Sequence, residues 1–212
     1  MSAVLPVEVC EGRLDRIGAD VLVAPFFESH RPLRGPVAHV DWRLSGLLSA
    51  ELAAGRISGA RGEATLLISA GRLQVPSIIA FGLGPKPGFS ERDLEELAGD
   101  LVRRVVALRA GRVAIALPDE LVMGFPIELT SEAVVRGAAA ALHEQPAALH
   151  LRLLCGSRGR DAERGVRTAA SRAPVPVRLG AAGPAPGQEP EGESVDRLRP
   201  LAVSASGISP TR

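Results

Sequence analysis

The segment spanning residues 61–109 constrains the fold more than any other part of the chain. It contains two short apolar runs, residues 64–69 and 76–81, with glycines beside each of them. Short apolar runs bounded by turn residues are typical of strands. Ser90 then precedes Asp93 at the spacing of a capping box, and apolar residues recur at helical spacing as far as Leu108. The segment therefore predicts two strands that lead into an amphipathic helix.

The rest of the chain alternates similar elements. We predict an outer strand at residues 5–9, buried strands at 20–27, 112–117 and 149–154, and a short strand at 175–179. Helices are predicted at residues 40–54, after a cap at Thr130 or Ser131, and at 161–172. Strands that alternate with helices predict an α/β domain whose mostly parallel or mixed sheet is covered on both faces.

The composition supports one domain followed by a tail. With 212 residues, of which 46% are hydrophobic, the chain has enough apolar material for one substantial core. From Gly180 onward, proline, glycine, serine and charged residues replace the core formers. We therefore expect a folded domain at residues 1–179 and a disordered tail at 180–212.

Charge and cysteine content limit the binding partners and the cellular compartment that the sequence favours. The 25 basic and 24 acidic residues give a net charge of +1, so no overall field attracts nucleic acid or an anionic membrane. Arginines cluster at residues 103–112 and 158–172, but with 3% aromatic residues and no tyrosine we do not expect nucleic-acid binding. The sequence has no basic leader and no membrane-length apolar run, and Cys10 and Cys155 are isolated. These features favour a cytoplasmic protein.

Glycines at defined positions carry a family resemblance. The predicted strand at residues 64–69 is preceded by Gly59, Gly62 and Glu63. The predicted strand at residues 76–81 is separated from the capped helix by Gly82–Gly84. In this order, residues 7–145 resemble the N-terminal domain of the leucine aminopeptidase family, also called cytosol aminopeptidases or M17. The resemblance implies a macro-domain-like, three-layer α/β fold.

The resemblance does not imply peptidase activity. The family's chemistry resides in a second domain, where one lysine and several carboxylates hold two metal ions and a further lysine acts on the substrate. Lys86 is the single lysine of this sequence, and no segment resembles that domain's signature. We therefore expect no catalytic residue, metal or cofactor. The leading hypothesis is a non-catalytic module for regulation, oligomerisation or protein interaction, whose partner is an aminopeptidase core, another protein or a second copy.

A small-ligand module is the alternative. Gly82 and Gly84 lie where a phosphate-binding turn would lie, and Asp20 occupies the position that the resemblance to ADP-ribose-binding macro domains assigns to an adenine contact. The full GxGxxG pattern is missing, however, so a structural turn is the favoured interpretation. A divergent aminopeptidase is the other enzymatic alternative.

Two further site types find little support. Glu28, His30, His39 and Asp41 are close in sequence, but their spacing does not suit ligands on one face of a helix. We therefore expect the histidines to be ordinary surface or core residues. No serine lies in a GxSxG context, so the sequence predicts no serine hydrolase.

Overall fold

The computed structural model describes residues 4–180, which form a sheet of seven strands with helices on both faces. The strands are β1 Leu5–Cys10, β2 Val21–Phe26, β3 Ala64–Ile68, β4 Ser77–Gly82, β5 Arg112–Ala116, β6 His150–Leu154 and β7 Val177–Leu179. Their order across the sheet is β3-β4-β2-β5-β6-β1-β7. β3 runs antiparallel to β4, and the other pairs are parallel.

Within residues 4–180, a short 3-10 helix at Leu14–Arg16 and six α-helices accompany the sheet. The α-helices are α1 Pro36–Arg43, α2 Leu47–Ala53, α3 Glu91–Ala107, α4 Glu120–Met123, α5 Ile127–Glu144 and α6 Gly159–Ala170. α1 and α2 pack on one face of the sheet, while α3, α5 and α6 cover the other. The predicted three-layer α/β fold with a mixed, mostly parallel sheet is confirmed. In residues 4–180 no helix is long and apolar enough to cross a membrane.

The segment of residues 61–109 folds as its sequence pattern predicts. β3 and β4 pair in the register Leu66–Ile79, and the α3 cap is a complete capping box. The Asp93 N–H donates to Ser90 Oγ at 3.3 Å, and the Ser90 N–H donates to Asp93 Oδ2 at 2.9 Å. The cap satisfies backbone donors that the first helical turn would otherwise leave unpaired.

The predicted helix at residues 40–54 is wrong as a single element. Ser45 and Gly46 adopt positive φ angles of 58° and 78°, and they separate α1 from α2. The apolar spacing continues across the break because Leu44 and Leu48 are both buried on the same side of the sheet.

The predicted cap at Thr130 or Ser131 is also wrong. α5 begins at Ile127 after Pro126, and both hydroxyl residues are buried inside the helix. The Ser131 hydroxyl donates to the carbonyl oxygens of Glu128 and Ala162, both at 2.9 Å, and so ties α5 to α6.

The first strand is less peripheral than its alternating pattern suggests. β1 lies between β6 and β7, and the Glu8 side chain is buried against Arg152 of β6. Arg152 Nε donates to Glu8 Oε2 at 2.7 Å and Nη2 donates to Oε1 at 3.1 Å. A paired and hydrogen-bonded charge tolerates burial, so this polar position is an interior one. The predicted tail beyond Gly180 lies outside the described residues.

Candidate binding site at the carboxyl edge of the sheet

The strand order places a topological switch point at the carboxyl ends of β2 and β5. The chain leaves β2 toward α1 on one face and leaves β5 toward α5 on the other. Open α/β sheets bind ligands at such a switch point. A cavity of about 160 Å³ lies at this edge, which is smaller than the roughly 300–1,000 Å³ of ordinary ligand pockets. Its lining comprises Pro36, Leu117, Asp119, Glu120, Ile127, Cys155, Gly156 and Arg158.

The Gly82–Gly84 turn reaches this edge, but its backbone donors are already used. The N–H groups of Gly82, Leu83 and Gly84 donate to the carbonyl oxygens of Glu63, Phe26 and Gly59 at 2.8, 2.8 and 2.9 Å. A phosphate-binding loop must instead present free N–H groups to its ligand. The geometry therefore supports the structural interpretation of these glycines.

Close backbone packing explains why glycine occupies these positions. A Cβ atom on Gly82 would lie 2.2 Å from the Ala60 carbonyl oxygen. One on Gly84, whose φ is 81°, would lie 3.0 Å from the Arg61 Cβ. The Gly82–Gly84 turn thus holds the loop before β3 against the end of β4.

The backbone N–H groups of residues 58–60 in that loop point toward one position and form an anion-binding nest. The Glu63 carboxylate occupies this nest. The Glu63 Oε2 atom accepts hydrogen bonds from the backbone N–H groups of Gly59, Ser58 and Ala60 at 2.6, 3.0 and 3.2 Å. The Ser58 hydroxyl adds a fourth at 2.8 Å. Burial alone would raise the pKa of Glu63, but these hydrogen bonds outweigh burial and hold the pKa below its ordinary value. Consecutive N–H groups of this kind bind phosphate in other proteins.

Carboxylates also occupy helix N-termini at the same edge. Glu11, which follows β1, accepts a hydrogen bond from the Gly159 N–H at the start of α6 at 2.8 Å. A Cβ on Gly159 would lie 2.4 Å from that carboxylate, so glycine leaves room for it. Asp119, which follows β5, caps α4 through the Val122 N–H at 3.0 Å. The positive ends of both helices therefore already have anionic partners.

Asp20 does not belong to this edge. It immediately precedes β2 and thus lies at the opposite, amino edge of the parallel strands. Its Oδ2 atom accepts hydrogen bonds from the N–H groups of Gly111 and Arg112 at 2.8 and 2.7 Å, which joins β2 to the start of β5. The structure therefore does not bring Asp20 together with Gly82 and Gly84.

The residues considered for a metal site have separate roles. Asp41 is buried and accepts hydrogen bonds from the Ser49 backbone and hydroxyl, so it joins α1 to α2. His39 lies edge-on to the ring of Trp42, and His30 lies edge-on to the ring of Phe27. Across the part of the chain that the structure describes, no group of three or more His, Cys, Asp or Glu residues could hold a metal ion.

Neither cysteine is suited to nucleophilic chemistry. Desolvation raises the pKa of the Cys10 thiol to about 11 and that of Cys155 to about 12. The thiolate is the reactive form, so neither thiol is activated at neutral pH.

Acidic neighbours pair with some of the arginines in both basic groups. Arg103 pairs with Asp100 and Glu144, and Arg112 lies 3.9 Å from Asp20. In the second group, Asp161 pairs with Arg158 and Arg164, while Arg167 pairs with Glu163. These pairs weaken the field that a phosphate backbone would require.

Comparisons with known proteins agree with this architecture. The sequence profile described as "Cytosol aminopeptidase family, N-terminal domain" matches residues 23–148. A probable cytosol aminopeptidase from Alkaliphilus metalliredigens is 26% identical over 138 residues, which are 65% of this chain and 27% of that protein. The corresponding protein from Pseudomonas syringae is 31% identical over 98 residues, 46% of this chain and 20% of its own length. The chain thus spans about a quarter of the length of these relatives.

Solved structures show the same fold. A tomato leucine aminopeptidase variant superposes with a TM-score of 0.61 at 21% identity, over 80% of this chain and 36% of that one. A macrodomain from Oceanobacillus iheyensis, solved with ADP, gives a TM-score of 0.57 at 15% identity, over 78% of this chain and 90% of that one. At these identities the likeness shows the fold alone.

Proposed function

This chain belongs to the cytosol aminopeptidase family through its N-terminal domain, and we propose that the domain works without catalytic residues of its own, as a protein-interaction or regulatory module. One observation carries the proposal: at the carboxyl edge of the sheet, the chain's own carboxylates occupy the groups that would receive an anionic ligand. Glu63 fills the nest at residues 58–60, Glu11 occupies the start of α6, and Asp119 caps α4.

Electrostatics at this edge argue against a nucleotide. A phosphate group at any one of these positions would meet a carboxylate whose hydrogen-bonding partners it would need for itself, and like charges at short range repel. The cavity itself is lined by two carboxylates, Asp119 and Glu120, and by Arg158. The nucleotide-binding alternative rests on the similarity of the fold to an ADP-bound macrodomain.

The single lysine argues against a dimetal peptidase built from these residues. Lys86 Nζ donates to the Leu121 carbonyl oxygen at 3.3 Å and lies 6.0 Å from the centre of the Phe27 ring. A site that uses one lysine as a metal ligand and another on the substrate cannot be assembled from it. Any aminopeptidase chemistry linked to this domain would have to come from a catalytic domain outside these residues.

The surface offers groups that suit protein contact. Trp42, on α1, is 70% exposed. His39 lies edge-on to its ring at 6.0 Å, and the Arg43 guanidinium lies 5.2 Å from the ring centre. Tryptophan and arginine are enriched among residues that dominate binding energy at interfaces. We expect Trp42 to contact a protein partner, for which an aminopeptidase core is the first candidate.

Two measurements test the proposal. In a thermal-shift titration with ADP-ribose, ADP and divalent metals, we expect no stabilisation. A ligand at 100 times its dissociation constant would instead add about 2.7 kcal/mol to the unfolding free energy. In parallel, the host's cytosol aminopeptidase should bind the wild-type chain in calorimetry and lose affinity at least tenfold with Trp42→Ala, while Leu121→Ala serves as a matched exposed control. Saturable nucleotide binding, or leucine-anilide hydrolysis by the purified chain, would overturn the proposal.

A further inference from the structure

The two edge strands of the sheet, β3 and β7, differ in how well they are protected from pairing with a strand of another molecule. β7 is three residues long, carries Arg178 at its centre and follows Pro174 and Pro176. β3 is five residues long, reads Ala-Thr-Leu-Leu-Ile, and contains neither a charge nor a proline. Natural monomers usually blunt an edge strand with charge, proline or a cover, because an open edge pairs with other strands. β7 has those devices, whereas β3 lacks charge and proline within the strand.

Hydrogen bonding determines which backbone groups of β3 remain available. The Ser69 N–H donates to the Pro76 carbonyl oxygen at 3.0 Å, in the same register that pairs Thr65 with Ala80. In an antiparallel pair, bonded residues alternate with residues whose N–H and C=O groups point to the other side. Thr65 and Leu67 therefore bond to β4, and the backbone groups of Ala64, Leu66 and Ile68 point away from the sheet.

The side chains of the same residues make this edge apolar. Leu66 is 51% exposed and Ile68 is 65% exposed, on the face that also carries α3. Leu67 points to the opposite face, where it is buried under α1 and α2. Ala64, Leu66 and Ile68 thus combine open backbone groups with an apolar surface that no partner covers within residues 4–180.

We propose that this edge pairs with the β3 strand of a second copy, antiparallel and about a twofold axis at Leu66. The proposal deepens the interaction function proposed above and rests on it. Such a pairing places Leu66 opposite its own symmetry mate and Ala64 opposite Ile68. Because all three residues have outward backbone groups, the pairing forms about six reciprocal hydrogen bonds.

The strand is self-complementary in other respects. It is uncharged from Ala64 to Ile68, so self-pairing opposes no like charges. Arg61, which flanks the strand, is already paired with Asp93 and Glu96 of its own chain. The pairing also gathers the leucine and isoleucine side chains of both copies on one face. A helical partner would leave the backbone groups unpaired, whereas a strand satisfies them.

The expected dimer is weak because the paired strands are short. Five residues a side bury less than the ~1,200 Å² of total area at the lower limit of stable interfaces, so a dissociation constant of about 10–100 µM is expected. Sedimentation equilibrium of the full 212-residue chain from about 1 to about 300 µM covers this range. We expect wild-type chain to pass from monomer to dimer across the series.

Variants and amide exchange locate the interface. Leu66→Lys should weaken dimerisation at least tenfold, whereas Leu121→Lys, at a leucine that is 90% exposed on another surface, should leave it unchanged. Leu66→Pro removes an outward N–H and should act like Leu66→Lys, while circular dichroism checks that each variant is folded. In wild-type protein the amides of Leu66 and Ile68 should become protected with rising concentration, and those of Thr65 and Leu67 should be protected throughout.

Three results would overturn this inference: a monomer at every concentration, a dimer unaffected by Leu66→Lys, or amides of Leu66 and Ile68 that gain no protection in the dimer. A monomer that still binds the aminopeptidase rejects the dimer and leaves the proposed function standing. A dimer that also binds nucleotide supports strand pairing but overturns the proposed function.

Discussion

Replacing Glu63 tests whether its carboxylate holds the loop before β3. The carboxylate accepts four hydrogen bonds, from Gly59 N, Ser58 N, Ala60 N and Ser58 Oγ. Hydrogen bonds to a charged group are worth about 1.5–3 kcal/mol each. Ser58 and Ala60 are exposed, so water replaces the carboxylate there, but Gly59 is buried. We therefore expect Glu63→Ala to reduce the unfolding free energy by about 2–3 kcal/mol.

Urea unfolding at pH 7, followed by circular dichroism, measures this loss. Glu96→Ala is the control, because Glu96 pairs with Arg61 and Arg92 on the exposed flank of α3. An exposed ion pair of this kind contributes less than about 1 kcal/mol. If the two alanine variants unfold at the same urea concentration, the carboxylate does not hold the nest and our interpretation of this edge is wrong.

The pH dependence gives an independent check on Glu63. The folded-state pKa of Glu63 is depressed, because the hydrogen bonds from Ser58, Gly59 and Ala60 outweigh desolvation. A depressed carboxyl pKa stabilises the fold above the unfolded-state pKa, and that stabilisation is lost as the pH falls through the folded-state pKa. The stability gap between wild type and Glu63→Gln should thus be full at pH 7 and narrow below about pH 4.

Three further substitutions or reactions probe other parts of the structure. Gly82→Ala should lower the free energy of unfolding in urea by about 3 kcal/mol, because the added Cβ would lie 2.2 Å from the Ala60 carbonyl oxygen. The control Gly71→Ala, in open space at φ 77°, should lower it by about 1 kcal/mol. Arg152→Met should lower the free energy of unfolding by about 3 kcal/mol, because Glu8 stays buried without the Arg152 guanidinium. The double variant with Glu8→Leu should regain much of this stability. With raised thiol pKa values of about 11 and about 12, Cys10 and Cys155 should react with iodoacetamide at pH 7.5 about 100-fold more slowly than the unfolded chain.

Local patterns predicted the parts of the fold whose causes are local. The α3 cap depends on residues three positions apart, and the short runs of β3 and β4 depend on their own composition and flanking glycines. The break between α1 and α2 could not be predicted in this way. Ser45 adopts a positive φ of 58°, which its residue type does not indicate, and the apolar spacing continues past it. α5 begins at Ile127, directly after Pro126, three residues before Thr130 and four before Ser131, the two hydroxyl residues that resembled caps.

The sequence predicted where the candidate site lies, but not which residues meet there. The sequence placed Gly82–Gly84 between a strand and a helix, which is the carboxyl edge, but Asp20 begins a parallel strand and so lies at the other edge. The contact between Glu11 and Gly159 joins residues 148 positions apart, and only the pairing of β1 with β6 brings them together. No local pattern encodes such a contact.

At the carboxyl edge, the chain's own carboxylates accept hydrogen bonds from backbone N–H groups that an anionic ligand would otherwise use. A ligand bound with micromolar affinity has about 8 kcal/mol of binding free energy. The three carboxylates come from separate segments, after β1, before β3 and after β5, and the strand order separates β1 from β3 by four strands. A phosphate group would therefore compete with one carboxylate at a time. At the nest, displacing Glu63 costs about 2–3 kcal/mol, which weakens a micromolar ligand about 30- to 160-fold. With about 10 µM ADP-ribose, Glu63→Ala should therefore gain thermal stability while the wild-type chain does not. Glu11→Ala, on the other side of the sheet, should behave like wild type.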